Sequence, residues 1–161
     1  MQSKTIKPLL AFSLFFTALW FFGNLYEEVI IAPNQLINAY EKLKHWQLFF
    51  AESNPMYFYV PFTQLSTLII CVLYFKVSNA QQKSNLKKAA IYCISAIALT
   101  VIIVTQINLK IFYGDLDKYK DQLFTLSVIW LIGNAIRLCL VGSSMHYIFK
   151  AYVLQQMLEK E

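Results

Sequence analysis

The chain has 161 residues, of which 58% are hydrophobic and 14% charged, and carries a formal net charge of +5. That balance lies far from the usage of soluble domains, and the length suits one domain. The positive charge comes without a basic cluster interleaved with aromatics, so nucleic acid is excluded as a partner, and the apolar residues gather into four long runs. This pattern predicts an all-α, four-helix transmembrane bundle, with the lipid bilayer as its surroundings and an interfacial helix between the first and second spans.

The first span is expected over residues 8–31, after Lys4 and Lys7. At about 1.5 Å per residue it crosses a hydrocarbon layer of roughly 30 Å. It is longer than the core of a secretory signal and ends in Tyr26, Glu27 and Glu28 rather than at a small-residue cleavage site, so it reads as a retained helix. Ser13, Thr17, Trp20, Asn24 and Glu27 recur at helical spacing and share one face, which should look into the bundle. Beyond it, Leu36, Tyr40, Leu43 and Phe50 fall close to helical spacing between the charges of residues 32–55. They predict an interfacial helix over the bundle mouth, started by Pro33 and Asn34, with His45 and Trp46 as headgroup anchors.

Ser53, Asn54 and Pro55 read as a cap followed by a first-turn proline, opening a second span over about residues 56–75. Tyr57, Phe58 and Tyr59 form its aromatic belt, Pro61 and Gln64 lie deeper, and Gln64, Thr67 and Cys71 mark the expected packing side. The connection over residues 76–88 holds Lys76, Lys83, Lys87 and Lys88 and no acid, which assigns it to the cytoplasm. A third span is expected over about 89–112, with Thr105, Gln106 and Asn108 bonding to neighbouring helices and Lys110 snorkelling to the surface. Residues 113–122 read as a solvated turn, and the fourth span covers about 123–147. Trp130, Asn134, Arg137 and Ser144 share a stripe on it, Gly133 admits a close neighbour, His146 and Lys150 lie at the interface, and the tail is expected to be exposed helix. The terminal and middle polar segments together have eight lysines and two acids, against five lysines and seven acids in the other two, so both termini are expected in the cytoplasm of a cell-membrane protein.

Cys71, Cys93 and Cys139 stand alone in apolar runs, which argues against thiol chemistry, and no metal site or cofactor is expected. The polar residues of the spans carry more meaning. A guanidinium at the centre of a spanning helix costs about 2.5–3.5 kcal/mol on insertion scales, so Arg137 calls for a partner or a task. Glu27 is the expected ionic partner in preference to Glu28, because it shares the face of Trp20 and Asn24, while Glu28 is turned toward the headgroups; Asn24 and Asn134 lie between as relays. Glu27 as a proton acceptor with Arg137 and Asn134 as oxyanion donors form a candidate catalytic set. Trp20, Asn24, Gln64, Asn108 and Trp130 are candidate ligand-binding residues around it, for a small apolar or aromatic carbonyl-type molecule. The plainer reading is a polar knot that sets how the helices pair. A second class of function is a non-enzymatic subunit whose polar helix face meets a partner protein or a second copy of the chain. The segments WFFGNLYE and WLIGNAIR echo one another over four positions, which is too short to define a repeat.

Four spans, the Ile107-Asn108 pair near the end of the third, and Trp130, Asn134 and Arg137 in the fourth resemble the anthrone-oxygenase-like family of small membrane proteins. In that family the fourth helix tends to carry tryptophan, then histidine or asparagine, then arginine at this spacing. The resemblance implies a four-helix bundle and, for some members, cofactor-independent oxygenation of a polycyclic aromatic.

Overall fold

A computed structural model describes residues 3–53 and 55–160, with side chains from Thr5 onward. Asn54 of the expected cap lies outside the described residues, as does the side chain of Lys4. Helix α1 (Ser3–Tyr26) runs on without a break through a π turn at Glu27–Ile31 and a last turn at Ala32–Gln35. Pro33 accounts for that widening. It brings no N–H, and its ring crowds the carbonyl of Val29, so the preceding turn opens and the Ala32 N–H donates to the Glu27 carbonyl instead. Pro33 and Asn34 therefore finish the first helix, which ends at Gln35 rather than Ile31. The break falls at Asn38, whose backbone is left-handed with φ 53° and ψ 52°, a conformation asparagine tolerates better than most residues.

The interfacial helix α2 (Ala39–Phe49) follows, with Leu43 fully buried on its inner face. Helix α3 (Pro55–Lys76) begins on a proline, where a missing N–H leaves no bond unmade. Its buried side is Thr63, Ser66, Thr67, Ile70 and Leu73, with Gln64 at the rim and Cys71 half-buried. The expected packing face was thus one residue off centre. Helix α4 (Ala80–Ile103) starts well before the expected residue 89, and the Asn79 side chain caps it by accepting from the Gln82 N–H at 2.9 Å. The lysine-rich connection is consequently mostly helix, because Lys83, Lys87 and Lys88 ride on the outer face while Leu86, Ala89, Ala90 and Cys93 are buried. A second π turn, Val104–Asn108, and Leu109–Ile111 complete this span. After a 3-10 turn at Asp117–Gln122 comes α5 (Leu123–Leu158), 36 residues long. Its tail is not simply exposed: Ala151 and Gln155 are buried, and Gln82 donates to both the Gln155 side chain and the Ala151 carbonyl, at 3.0 and 3.2 Å.

Among the described residues there is no strand, and four helices are long and apolar enough to cross a membrane, over Thr5–Gln35, Pro55–Lys76, Ala80–Ile111 and Asp117–Leu158. Successive spans are neighbours, and α5 closes the ring against both α4 and α1. The burial pattern is inverted relative to a soluble protein. Phe15, Phe22, Leu68, Ile102, Ile132 and Ile136 point outward, while Ser13, Thr17, Asn24, Asn134, Arg137 and Ser144 are buried, as hydrocarbon surroundings require. Lys7 and Glu159 pair at 3.4 Å, so the two terminal segments meet at one end of the bundle, opposite α2.

The left-handed residue gives the first prediction. Asn38→Gly should leave thermal stability in detergent unchanged or slightly raised, whereas Asn38→Val should lower it by about 1–2 kcal/mol, since a β-branched residue resists that backbone. Equal melting temperatures for the two variants would show that the turn does not depend on this conformation.

Candidate functional site

The site is built on α5, where Trp130, Asn134 and Arg137 lie on successive turns of the buried stripe and Gly133 gives Ile103 of α4 room to approach. Arg137 is only 6% exposed, so its guanidinium must be satisfied from within the chain. Its Nη2 donates to Asn24 Oδ1 at 2.7 Å and to Asn134 Oδ1, and its Nε donates to Asn134 Oδ1 at 3.1 Å. Glu27 Oε2 stands 3.9 Å from the same Nη2, an ion pair looser than the amide bonds. Asn134 in turn donates through Nδ2 to Glu28 Oε2 at 2.7 Å and to the Asn24 carbonyl at 3.3 Å. Asn24 completes the chain by donating to the Trp20 carbonyl at 2.9 Å.

Glu27 is thus the carboxylate in direct ionic contact, while Asn134 links the guanidinium to Glu28 and Asn24 ties it to the backbone of its own helix; among the described residues neither asparagine bonds to Glu27. The placement of Glu28 differs from expectation. It reaches Asn134 rather than the headgroups, because a π turn rotates less per residue than an α turn and keeps both carboxylates toward α5. The first span's polar face, from Ser13 to Glu27, otherwise lies inward as its spacing implied.

Beside this cluster lies a cavity of about 290 Å³. Trp20, Asn24, Glu27 and Arg137 line one side, and Gln64, Asn108 and Trp130 line others. Asn134 does not face it but stands behind Arg137, fully buried, and acts by holding the guanidinium. Both π turns border the cavity, one through Glu27 and the other through Val104, Thr105 and Asn108. The expected cross-helix bonds of the third span are absent among the described residues. Thr105 instead donates to its own helix, to the Val101 carbonyl at 2.8 Å, Gln106 is exposed, and Asn108 Oδ1 has no partner.

Tyr59, Gln35 and Trp46 also line the cavity and were not legible as site residues. Gly23 carried the signal for Tyr59: a Cβ there would collide with the Tyr59 ring and hydroxyl, so the glycine is what lets this ring cross α1. Trp46, half-buried, lines the cavity, packed 4.4 Å from the Phe50 ring and 5.5 Å from that of Phe112. Helix α2 is fastened to the following connection. Gln47 donates to the Gly114 carbonyl at 3.0 Å, and the Tyr40 hydroxyl donates to Asp117 Oδ1 at 2.8 Å, a bond that raises the Tyr40 pKa above the ordinary phenol value. With Leu116 buried beneath α2, residues 113–122 are a docking strip rather than only a solvated turn.

Among the described residues no three His, Cys, Asp or Glu side chains gather as metal ligands. The fold and the site define a small four-helix membrane bundle with a polar-floored cavity at one end. Compared with protein-family models, curated proteins and solved structures, the chain matches none.

Arg137→Leu should destabilise the protein by about 3–5 kcal/mol, because it strands the carboxylates, and adding Glu27→Leu should recover much of that loss. Thermal unfolding of the two variants in one detergent checks this. A double variant no more stable than Arg137→Leu alone would assign the coupling to Glu28 through Asn134.

Proposed function

We propose that this is a multi-pass protein of the cell membrane that binds a small, mainly apolar, carbonyl-bearing molecule in its cavity, with the carbonyl directed at Arg137. The observation that carries this reading is that the buried guanidinium lines a cavity of its own bundle and that its Nη1 has no protein partner among the described residues. Glu27 alone can balance the guanidinium charge and Glu28 stands close behind Asn134, so a further anion is disfavoured and a neutral carbonyl is favoured over a carboxylate. The surrounding Ile97, Val101, Val104, Trp20 and Trp130 suit an apolar or aromatic body.

In chemical terms, Glu27 is placed to accept a proton from the carbon or oxygen next to such a carbonyl, and Arg137 to hold the oxyanion that forms. Deprotonation of this kind would be the opening step of the cofactor-independent oxygenation that the family resemblance implies. The alternative of a partner-binding subunit needs a polar helix face turned outward. The inward direction of Arg137 and Asn134 speaks against it.

Protein purified in mild detergent should carry a small organic molecule detectable by native mass spectrometry, and Asn134→Leu, which releases the guanidinium from its anchor, should lose it. Recovery of the same molecule in equal amount from Asn134→Leu would reject binding at this centre. The lysine distribution supports a topology with both termini in the cytoplasm and α2 on the opposite side. Single cysteines at Asn38, Asn79 or Asp117, introduced after Cys71, Cys93 and Cys139 are replaced, test that in intact cells. An impermeant thiol reagent should label positions 38 and 117 and spare 79; the reverse pattern would invert the topology.

A further inference from the structure

The walls of the cavity are not equally buried. Its lining residues on α1, α2 and α5, among them Trp20, Asn24, Trp46, Trp130 and Arg137, are buried or half-buried. The lining residues that are exposed are Gln64 on α3, Val101 on α4, Thr105 on the π turn that continues α4, and Tyr113 just beyond that span. All of them belong to the two helices on either side of one seam. The packing explains why that seam is open. In the apolar core, α3 contributes the buried Ile70 and Leu73, which meet Leu86, Ala89 and Cys93 of α4. At the α2 end the core is built from Leu43, Ile103, Ile107, Ile111 and Leu126, and no residue of α3 joins it among the described residues. There α3 is held to α1 instead, by the Phe62 ring stacked 4.4 Å from that of Phe16 and by the Tyr59 ring lying against Gly23. The first half of α3 therefore leans on α1 and leaves the cavity between itself and α4.

We infer that the cavity opens sideways into the bilayer between α3 and α4, and that its occupant is a lipid whose small carbonyl-bearing head enters while a hydrocarbon chain stays in the seam. The inference rests on the ligand-cavity reading above and specifies the class of ligand and its route. Depth decides what the opening faces. Gln64 lies nine residues after Pro55 and Val101 ten residues before Ile111, so the opening reaches about 14–15 Å below the α2 end, half of a hydrocarbon layer of roughly 30 Å. Exposed Phe58, Leu65 and Ile102 flank these positions and suit contact with lipid. An amide such as Gln64 is costly there unless a polar group meets it, and an entering head supplies one. Volume decides how much of the ligand is enclosed. About 290 Å³ stands at the lower limit of sites that hold a whole small molecule, so a ring-sized head fills it and a chain must remain outside. The route from water is the more obstructed, because α2 lies across that end and is fastened by Gln47 and Tyr40 to the connection beyond α4.

The probes for the test are acetophenones with a para ethyl or a para dodecyl chain, offered to the full chain in phosphatidylcholine nanodiscs at equal mole fraction in the lipid, which removes differences in partitioning. All three tryptophans of the chain, Trp20, Trp46 and Trp130, line the cavity, so a ketone that enters it quenches their fluorescence. Both ketones should quench saturably, and Arg137→Gln should weaken both. Val101→Phe and Thr105→Phe each narrow the seam at an exposed position, and each should weaken the dodecyl ketone at least about tenfold more than the ethyl ketone, since a clash with the chain leaves the head's own contacts in place. Saturable quenching by the ethyl ketone alone would overturn the lipid class and the lateral opening while leaving the carbonyl site intact. If the dodecyl ketone quenches and neither phenylalanine variant changes its binding relative to the ethyl ketone, the seam is not the opening and the inference fails. Absence of saturable quenching by either ketone would remove the carbonyl reading and this inference together.

Discussion

A guanidinium surrounded by hydrocarbon-facing helices cannot borrow water, and the structure around Arg137 is arranged to supply what water would. Two asparagine oxygens, Asn24 Oδ1 and Asn134 Oδ1, take the short hydrogen bonds, and Glu27 supplies the nearest opposite charge. The division makes physical sense. Amides satisfy the geometry of the N–H fork at little desolvation cost, while the carboxylate at 3.9 Å balances charge without forming a closed bidentate pair. A fully closed pair would consume more of the donors, and the looser one leaves Nη1 without a partner among the described residues.

The same requirement explains the irregular backbone of the first span. A straight α-helix would turn Glu27 and Glu28 about 100° apart, and a π turn narrows that angle. The π turn imposed next to Pro33 holds both near the polar centre. A second π turn lies in α4 across the same cavity, and both wide turns occur in the half of the bundle that is hollow. At the other end, Leu10, Ile70, Leu73, Leu86, Ala89 and Ile148 pack without such interruptions. Small residues on α4 let α5 come close there, and Ser144 donates to the Ala89 carbonyl at 2.9 Å and lies 3.0 Å from the Cys93 sulfur. One end of the bundle is therefore a packed clamp and the other a container. The roof follows from this division, since α2 covers the open end by burying Leu43 and by bonds from Gln47 and Tyr40 to the connection beyond α4.

Much of this was legible from the residues alone. Four apolar runs of spanning length determine a membrane bundle, because no other arrangement hides the backbone of so many apolar residues. Helical spacing also determined that Ser13 through Glu27 share a face, as do Trp130, Asn134, Arg137 and Ser144, and the cost of a lone charge in hydrocarbon singled out Arg137. What the residues could not reveal depends on contacts between distant segments. The start of α4 was hidden because lysines on an exposed helical face look like a polar loop until the opposite face is seen buried against α5. Glu28, Gln35 and Trp46 were misplaced or missed because their directions are set by a π turn and by the docking of α2, neither of which has a period that a sequence displays. The cavity itself is a property of volume, determined by which side chains fail to meet, and only the packed tertiary structure decides that.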